Sequence, residues 1–117
     1  QYAGERRQFG QSIGRFQSVS HRIVEMKIAT ETAAKWLYDT AAKLLRHEDV
    51  TVDLAIAKIL TSEGNTASAL SALQIFGGYG YMTEYGIEKD VRNALAGTIY
   101  SGTSEIQRTR IAAMLGL

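Results

Sequence analysis

Cysteine is absent from this 117-residue sequence, which excludes disulfides, thiolate metal sites and cysteine nucleophiles and leaves the redox compartment open. Proline is absent as well, which speaks against a disordered, collagen-like or Pro-rich chain. Neither sign of charge is in real excess: 13 Lys+Arg stand against 12 Asp+Glu, a formal charge of +1. Nucleic acid and anionic membranes are therefore not expected partners, since general attraction to either needs a surplus of cations. No apolar run is long enough to span a bilayer, and no basic-then-apolar signal pattern opens the chain, so no membrane insertion is expected. The sequence begins at Gln1, and Gln1-Tyr2-Ala3-Gly4-Glu5-Arg6-Arg7 reads as the tail of a helix. A piece of something longer is the expectation.

What is present is globular: 45% hydrophobic and 21% charged residues, enough for one domain over residues 1–117. Phe16, Val19, Ile23, Met26, Ala33, Leu37, Ala41 and Leu44 recur at helical spacing and predict a first long helix of roughly 30 residues, about 45 Å. Arg46 and His47 suit its carboxyl end, and Asp49 or Thr51 suits the cap of the next. A second helix is predicted over 52–76, with a middle of small residues, closed by Gly77-Gly78. Tyr79-Gly80-Tyr81-Met82 reads as a structured loop, and two more helices are predicted over roughly 85–99 and 103–115, the last with Ile106, Ile111 and Met114 facing inward. With no sustained period-two alternation, the expected fold is an all-α antiparallel four-helix bundle.

Polar chemistry gathers at the helix ends. Arg6, Arg7 and Gln8 beside Gly10 suit a phosphate or diphosphate, or form a solvated helix end. Gln74-Ile75-Phe76-Gly77-Gly78-Tyr79-Gly80-Tyr81 offers bare backbone and aromatic faces to a ligand, or is a helix cap with packed tyrosines. It is neither a P-loop nor a dinucleotide fingerprint, because no strand precedes it. Tyr100-Ser101-Gly102-Thr103-Ser104-Glu105 opens the last helix with free N–H groups suited to an anion or oxyanion, or with an ordinary cap. His21 and His47 are too far apart to be a metal pair by spacing, and no metal site is expected.

In order, Tyr2 through Ile13, Phe16-Gln17, Gln74 through Tyr81, Glu84-Tyr85, Arg92 and Tyr100 through Gln107 closely resemble the carboxyl-terminal helical domain of the acyl-CoA dehydrogenases. The likeness covers essentially the whole chain, which corresponds to about the last third of such proteins. It implies a flavoprotein that removes hydrogen from Cα and Cβ of an acyl-CoA thioester, passes a hydride to FAD and later hands electrons to an acceptor flavoprotein. It also implies a homodimer or tetramer in which the flavin crosses a subunit boundary, an inactive domain when isolated, and residence in the cytoplasm if bacterial or the mitochondrial matrix if eukaryotic.

Residue by residue, the resemblance assigns Arg6 to the FAD diphosphate, with Gln8, Phe16 and Gln17 flanking it. Gln74, Gly77 and Gly78 match the glycine segment that approaches the partner subunit's cofactor. Thr103 and Glu105 match contacts to FAD in the same subunit, and Tyr100 and Gly102 match residues lining the acyl-CoA site. Two positions depart from many relatives. Asn93 follows Arg92 where aspartate is common, removing a charge pair. Ser101 occupies the position of the family's glutamate base, so no catalytic residue is expected in this chain. Other members carry that glutamate on the helix that would precede Gln1. A non-catalytic flavin-supporting subunit and a plain helical interaction domain are the competing readings.

Overall fold

The computed structural model describes all residues from Gln1 to Leu117. Its elements are α1 (Tyr2–Glu5), β1 (Arg7–Gln8), β2 (Gln11–Ser12), α2 (Gln17–Leu45), α3 (Thr51–Phe76), α4 (Gly78–Tyr81), α5 (Ile87–Gly97) and α6 (Ser104–Met114). Helix predominates, four helices are long, and the molecule is slender at 55 × 25 × 24 Å.

α2 and α3 are antiparallel neighbours joined by a tight turn. Asp49 accepts hydrogen bonds from the Thr51 N–H at 2.9 Å and the Thr51 hydroxyl at 2.7 Å, which starts α3 although the formal cap residue, Val50, supplies no side-chain bond. These bonds hold the Asp49 carboxyl below its ordinary pKa. The Trp36 indole donates to the Asp53 carbonyl at 3.0 Å and Lys43 pairs with the Asp53 carboxylate at 2.7 Å, fixing the register of the two helices at this end.

The small residues of α3 act as its sequence suggests. A Cβ on Gly64 would lie 3.6 Å from the Ala29 methyl, and one on Gly97 would lie 3.5 Å from Ser62 Cβ, so α2 and α5 both come close to α3. The Thr66 hydroxyl donates to the Ala94 carbonyl at 3.1 Å. The Ser62–Gly97 and Thr66–Ala94 contacts set α5 antiparallel to α3. α6 is tied to the middle of α3 by Arg108 and Glu63 at 2.7 Å.

Several expectations need correction. Two two-residue strands pair as a hairpin, Arg7 with Ser12 and Gln8 with Gln11; they are too short to leave any alternation in the sequence. Gly78–Tyr81 is a helical turn rather than a loop, because Gly80 lets this turn fold back onto α3: a Cβ there would stand 2.7 Å from the Leu73 carbonyl oxygen. The apolar stripe of α2 is only half covered, with Leu37 48% and Leu44 56% exposed, since α2 packs chiefly on α3. Ile106 and Met114 of α6, expected inside, are exposed, and Ser104 and Gln107 are buried in their place. Arg92 lies 3.4 Å from Glu88 one turn earlier, a pairing that does not call on position 93.

Candidate functional site

A cleft of about 720 Å³ lies where α1 and β1 meet the end of α3, and its walls include Tyr2, Arg6, Gln8, Gly77, Gly78 and Tyr85. Segments far apart in sequence thus form one site. The extended run from Arg6 into β1 explains which arginine takes part. Side chains alternate along such a run, so Arg6 and Gln8 face the cleft while Arg7 turns away and donates to the Gly10 carbonyl at 3.0 Å. The two central turn residues, Phe9 and Gly10, both have positive φ, 51° and 80°, as a two-residue hairpin turn of the primed kind requires.

Aromatic rings form one wall. Tyr2 stacks on Phe76 at 4.0 Å between ring centres, Tyr85 stands edge-on to Phe76 at 5.6 Å, and Tyr79 lies 5.4 Å from Tyr85. The Arg6 guanidinium sits 5.2 Å above the Tyr79 ring, within range of a cation–π attraction. It is half-buried and takes part in none of the chain's six ion pairs.

The glycines divide by cause. Gly77 has φ +60°, and Gly80 is crowded by α3. Gly78 has neither constraint: its φ is not in the left-handed range, and an added Cβ would meet nothing within 4 Å. Nothing within the chain requires glycine at a position that borders the cleft, and bare backbone there leaves room for something to approach.

The other sequence-predicted cluster lies elsewhere. Gly97 packs on Ser62, fifteen residues before Gly77 on α3, so the Tyr100–Thr103 loop is displaced from the cleft by about 20 Å along the helix. Ser101 and Gly102 both have positive φ, 55° and 87°, and the buried Gln107 amide supports the loop by donating to the Ser101 carbonyl at 3.4 Å. The Thr103 hydroxyl caps α6 by accepting from the Ile106 N–H at 3.2 Å. The N–H groups of Ser101, Gly102 and Thr103 donate to no acceptor in the chain. Glu105 is held below its ordinary pKa by its own backbone N–H and then by the Thr103 hydroxyl, so its carboxylate serves the start of its own helix.

Phe16, Gln17 and Gln74 do not line the cleft. Phe16 precedes α2, and Gln17 lies 3.2 Å from the exposed His21 ring. No group of three or more His, Cys, Asp or Glu side chains is placed to hold a metal ion, and no helix is long and apolar enough to cross a membrane.

Residues 1–116 match the family model described as the acyl-CoA dehydrogenase C-terminal domain. The chain belongs to the acyl-CoA dehydrogenase family. It is 42% identical over its whole length to an L-prolyl-[peptidyl-carrier protein] dehydrogenase of a Serratia species, covering 30% of that protein. It is 40% identical over 107 residues, 92% of the chain and 28% of the relative, to a short-chain-specific acyl-CoA dehydrogenase of Megasphaera elsdenii. Among solved structures, the FAD complex of PigA superposes with a TM-score of 0.96 at 42% identity, covering 99% of this chain and 30% of that one. Butyryl-CoA dehydrogenase from Megasphaera elsdenii superposes with a TM-score of 0.94 at 38% identity, covering 99% and 30%. The chain therefore spans less than a third of these relatives.

Within this acyl-CoA dehydrogenase domain, spacing alone missed the wall formed by Tyr2, Ile13, Met82, Glu84 and Tyr85. Tyr2 and Glu84-Tyr85 belong to the segments that carry the family resemblance, and this was the one available signal.

Proposed function

We propose that this chain is the FAD-binding and oligomerisation domain of an enzyme that dehydrogenates an acyl thioester between Cα and Cβ. The carrying observation is the meeting of Arg6 and Gln8 with Gly77 and Gly78 in one aromatic-walled cleft. Its donor set suits the diphosphate and adenosine part of FAD: a guanidinium without a carboxylate partner, exposed ring faces, and glycine backbone where a Cβ would project into open space. Gln74, Phe16 and Gln17 flank this site in the proposal.

The separation of the cleft from the Tyr100 loop supports service to two cofactors: the cleft receives the partner subunit's FAD, while Thr103 and Glu105 meet FAD within the same subunit. A homodimer or tetramer follows. Bound FAD supplies the hydride acceptor, and an electron-acceptor flavoprotein reoxidises it.

Tyr100 and Gly102 line the acyl site, and the free N–H groups of the Ser101–Thr103 turn donate to the thioester oxygen, which acidifies the α-proton. A serine hydroxyl cannot accept that proton unaided, so the base lies outside this chain. The thioester is carried by CoA or by a carrier protein, as the names of the relatives divide. The second reading, a flavin-supporting subunit without turnover, is favoured by Ser101 alone. Reduction of the full-length protein's flavin by acyl-CoA or carrier-bound thioesters separates the two readings: the dehydrogenase bleaches and the supporting subunit does not.

A further inference from the structure

Tyr2 opens α1 and Arg6 closes it, its N–H donating to the Tyr2 carbonyl at 2.8 Å. From Tyr2 a chain of rings leads out and returns to the same turn. Tyr2 stacks on Phe76 with ring planes 10° apart, Phe76 meets Tyr85 at 5.6 Å, Tyr85 meets Tyr79 at 5.4 Å, and Tyr79 lies under the Arg6 guanidinium. The turn that carries Tyr79 is pinned. The Gly80 N–H donates to the Gly77 carbonyl at 2.9 Å, and Gly80 itself is buried against Leu73 at the end of α3.

Arg6 has no other partner. Its guanidinium donates no hydrogen bond within the chain and joins none of the ion pairs. Two carboxylates stand close in sequence or at the cleft, and neither takes it. Glu5 accepts from the Gln1 side-chain amide at 2.9 Å, and Glu84 borders the same cleft without an ion pair. A carboxylate would fix the arginine but consume its N–H donors and cancel its charge. An aromatic face attracts the cation through its quadrupole and leaves both available. A long side chain already held in place also loses less conformational freedom when its ligand arrives.

Resting on the FAD reading of the cleft, we infer that Tyr79 is a positioning residue for that cofactor: its ring holds the Arg6 guanidinium in the cleft, charged and free of any carboxylate, for the diphosphate. The ring face and not the hydroxyl makes this contact. Phenylalanine should therefore serve as well as tyrosine, and a non-aromatic side chain should not.

The test measures FAD affinity of the full-length apoprotein by equilibrium dialysis, with thermal unfolding of the apoprotein as the control for folding. Tyr79→Phe should bind FAD as the parent does. Tyr79→Leu and Tyr79→Met should bind about three- to tenfold more weakly, with unfolding temperatures close to the parent's, since Tyr79 is 45% exposed. In an Arg6→Ala background Tyr79→Leu should cost nothing further, because the group it positions is gone. A full additional loss on top of Arg6→Ala would mean that the ring meets the cofactor directly, and overturns the inference. So does a loss in Tyr79→Phe as large as in Tyr79→Leu, or parent-like affinity in both non-aromatic variants. A fall in apoprotein stability in both that accompanies the weaker binding would make Tyr79 a packing residue, and overturns it too. Unchanged FAD affinity in Arg6→Ala would instead overturn the FAD reading of the cleft, on which the inference rests.

Discussion

The Arg6 guanidinium lies 5.2 Å above the Tyr79 ring, joining the strand after α1 to the turn after α3. Arg6→Ala should weaken FAD retention by the full-length protein roughly ten- to hundredfold, since a charged hydrogen bond to phosphate contributes about 1.5–3 kcal/mol. Thermal unfolding of the apoprotein should change little, because Arg6 makes no ion pair. Equilibrium dialysis against FAD, with unfolding of the apoprotein as control, checks this; loss of folding with FAD affinity unchanged contradicts the assigned role.

Gly78 and Gly80 should separate binding from stability. Gly78→Ala should leave apoprotein stability unchanged and weaken FAD binding about tenfold, equivalent to ~1.4 kcal/mol. Gly80→Ala forces a methyl against the Leu73 carbonyl oxygen at 2.7 Å and Phe76 Cβ at 2.9 Å, and should destabilise the fold by about 1–3 kcal/mol. Denaturant unfolding and FAD titration of both variants would show the contrast, and similar behaviour of the two would refute it.

The Glu63–Arg108 pair gives an acid dependence. The Arg108 hydrogen bond, the largest cause, holds Glu63 below its ordinary carboxylate value. A depressed carboxylate stabilises the fold above its unfolded pKa and loses that contribution as pH falls through the folded value. The unfolding temperature should therefore fall below about pH 4.5, with a shallower fall in Glu63→Gln. Both side chains are roughly half exposed, so the difference should be small. Identical pH profiles would contradict it.

Lys58 Nζ is buried without a hydrogen-bond partner in the chain. Removing an unpartnered polar atom while keeping the side chain's length should cost nothing. Lys58→Met is therefore expected to keep or raise the unfolding temperature of the full-length protein. A clear fall would mean that the amine finds its partner outside this domain.

The long helices were legible because their apolar positions repeat over many turns; α3 is expected at 52–76 and runs from Thr51 to Phe76. The hairpin and α4 span too few residues to express a period, and they are set by local backbone conformation at Phe9, Gly10 and Gly77. No spacing rule could bring Arg6 to Gly77 or choose Arg6 over Arg7. The first depends on α1 packing beside the end of α3, the second on the pleat of a two-residue strand. The exposed Ile106 and the buried Gln107 show the same limit: α6 turns its polar Gln107 inward to hold the Ser101 carbonyl.

The proposed function makes this domain part of a working thioester dehydrogenase whose base is not Ser101. The most direct measurement is anaerobic mixing of the full-length FAD-loaded protein with a panel of acyl-CoA and carrier-bound thioesters, following loss of the oxidised flavin band in parent, Ser101→Ala and variants of each glutamate on the helix that would precede Gln1. Bleaching by at least one thioester, near-normal reduction in Ser101→Ala, and loss of reduction when one upstream glutamate is replaced are expected from the proposed function. No bleaching by any thioester, or its abolition by Ser101→Ala while FAD and substrate still bind and every upstream glutamate proves dispensable, would contradict it.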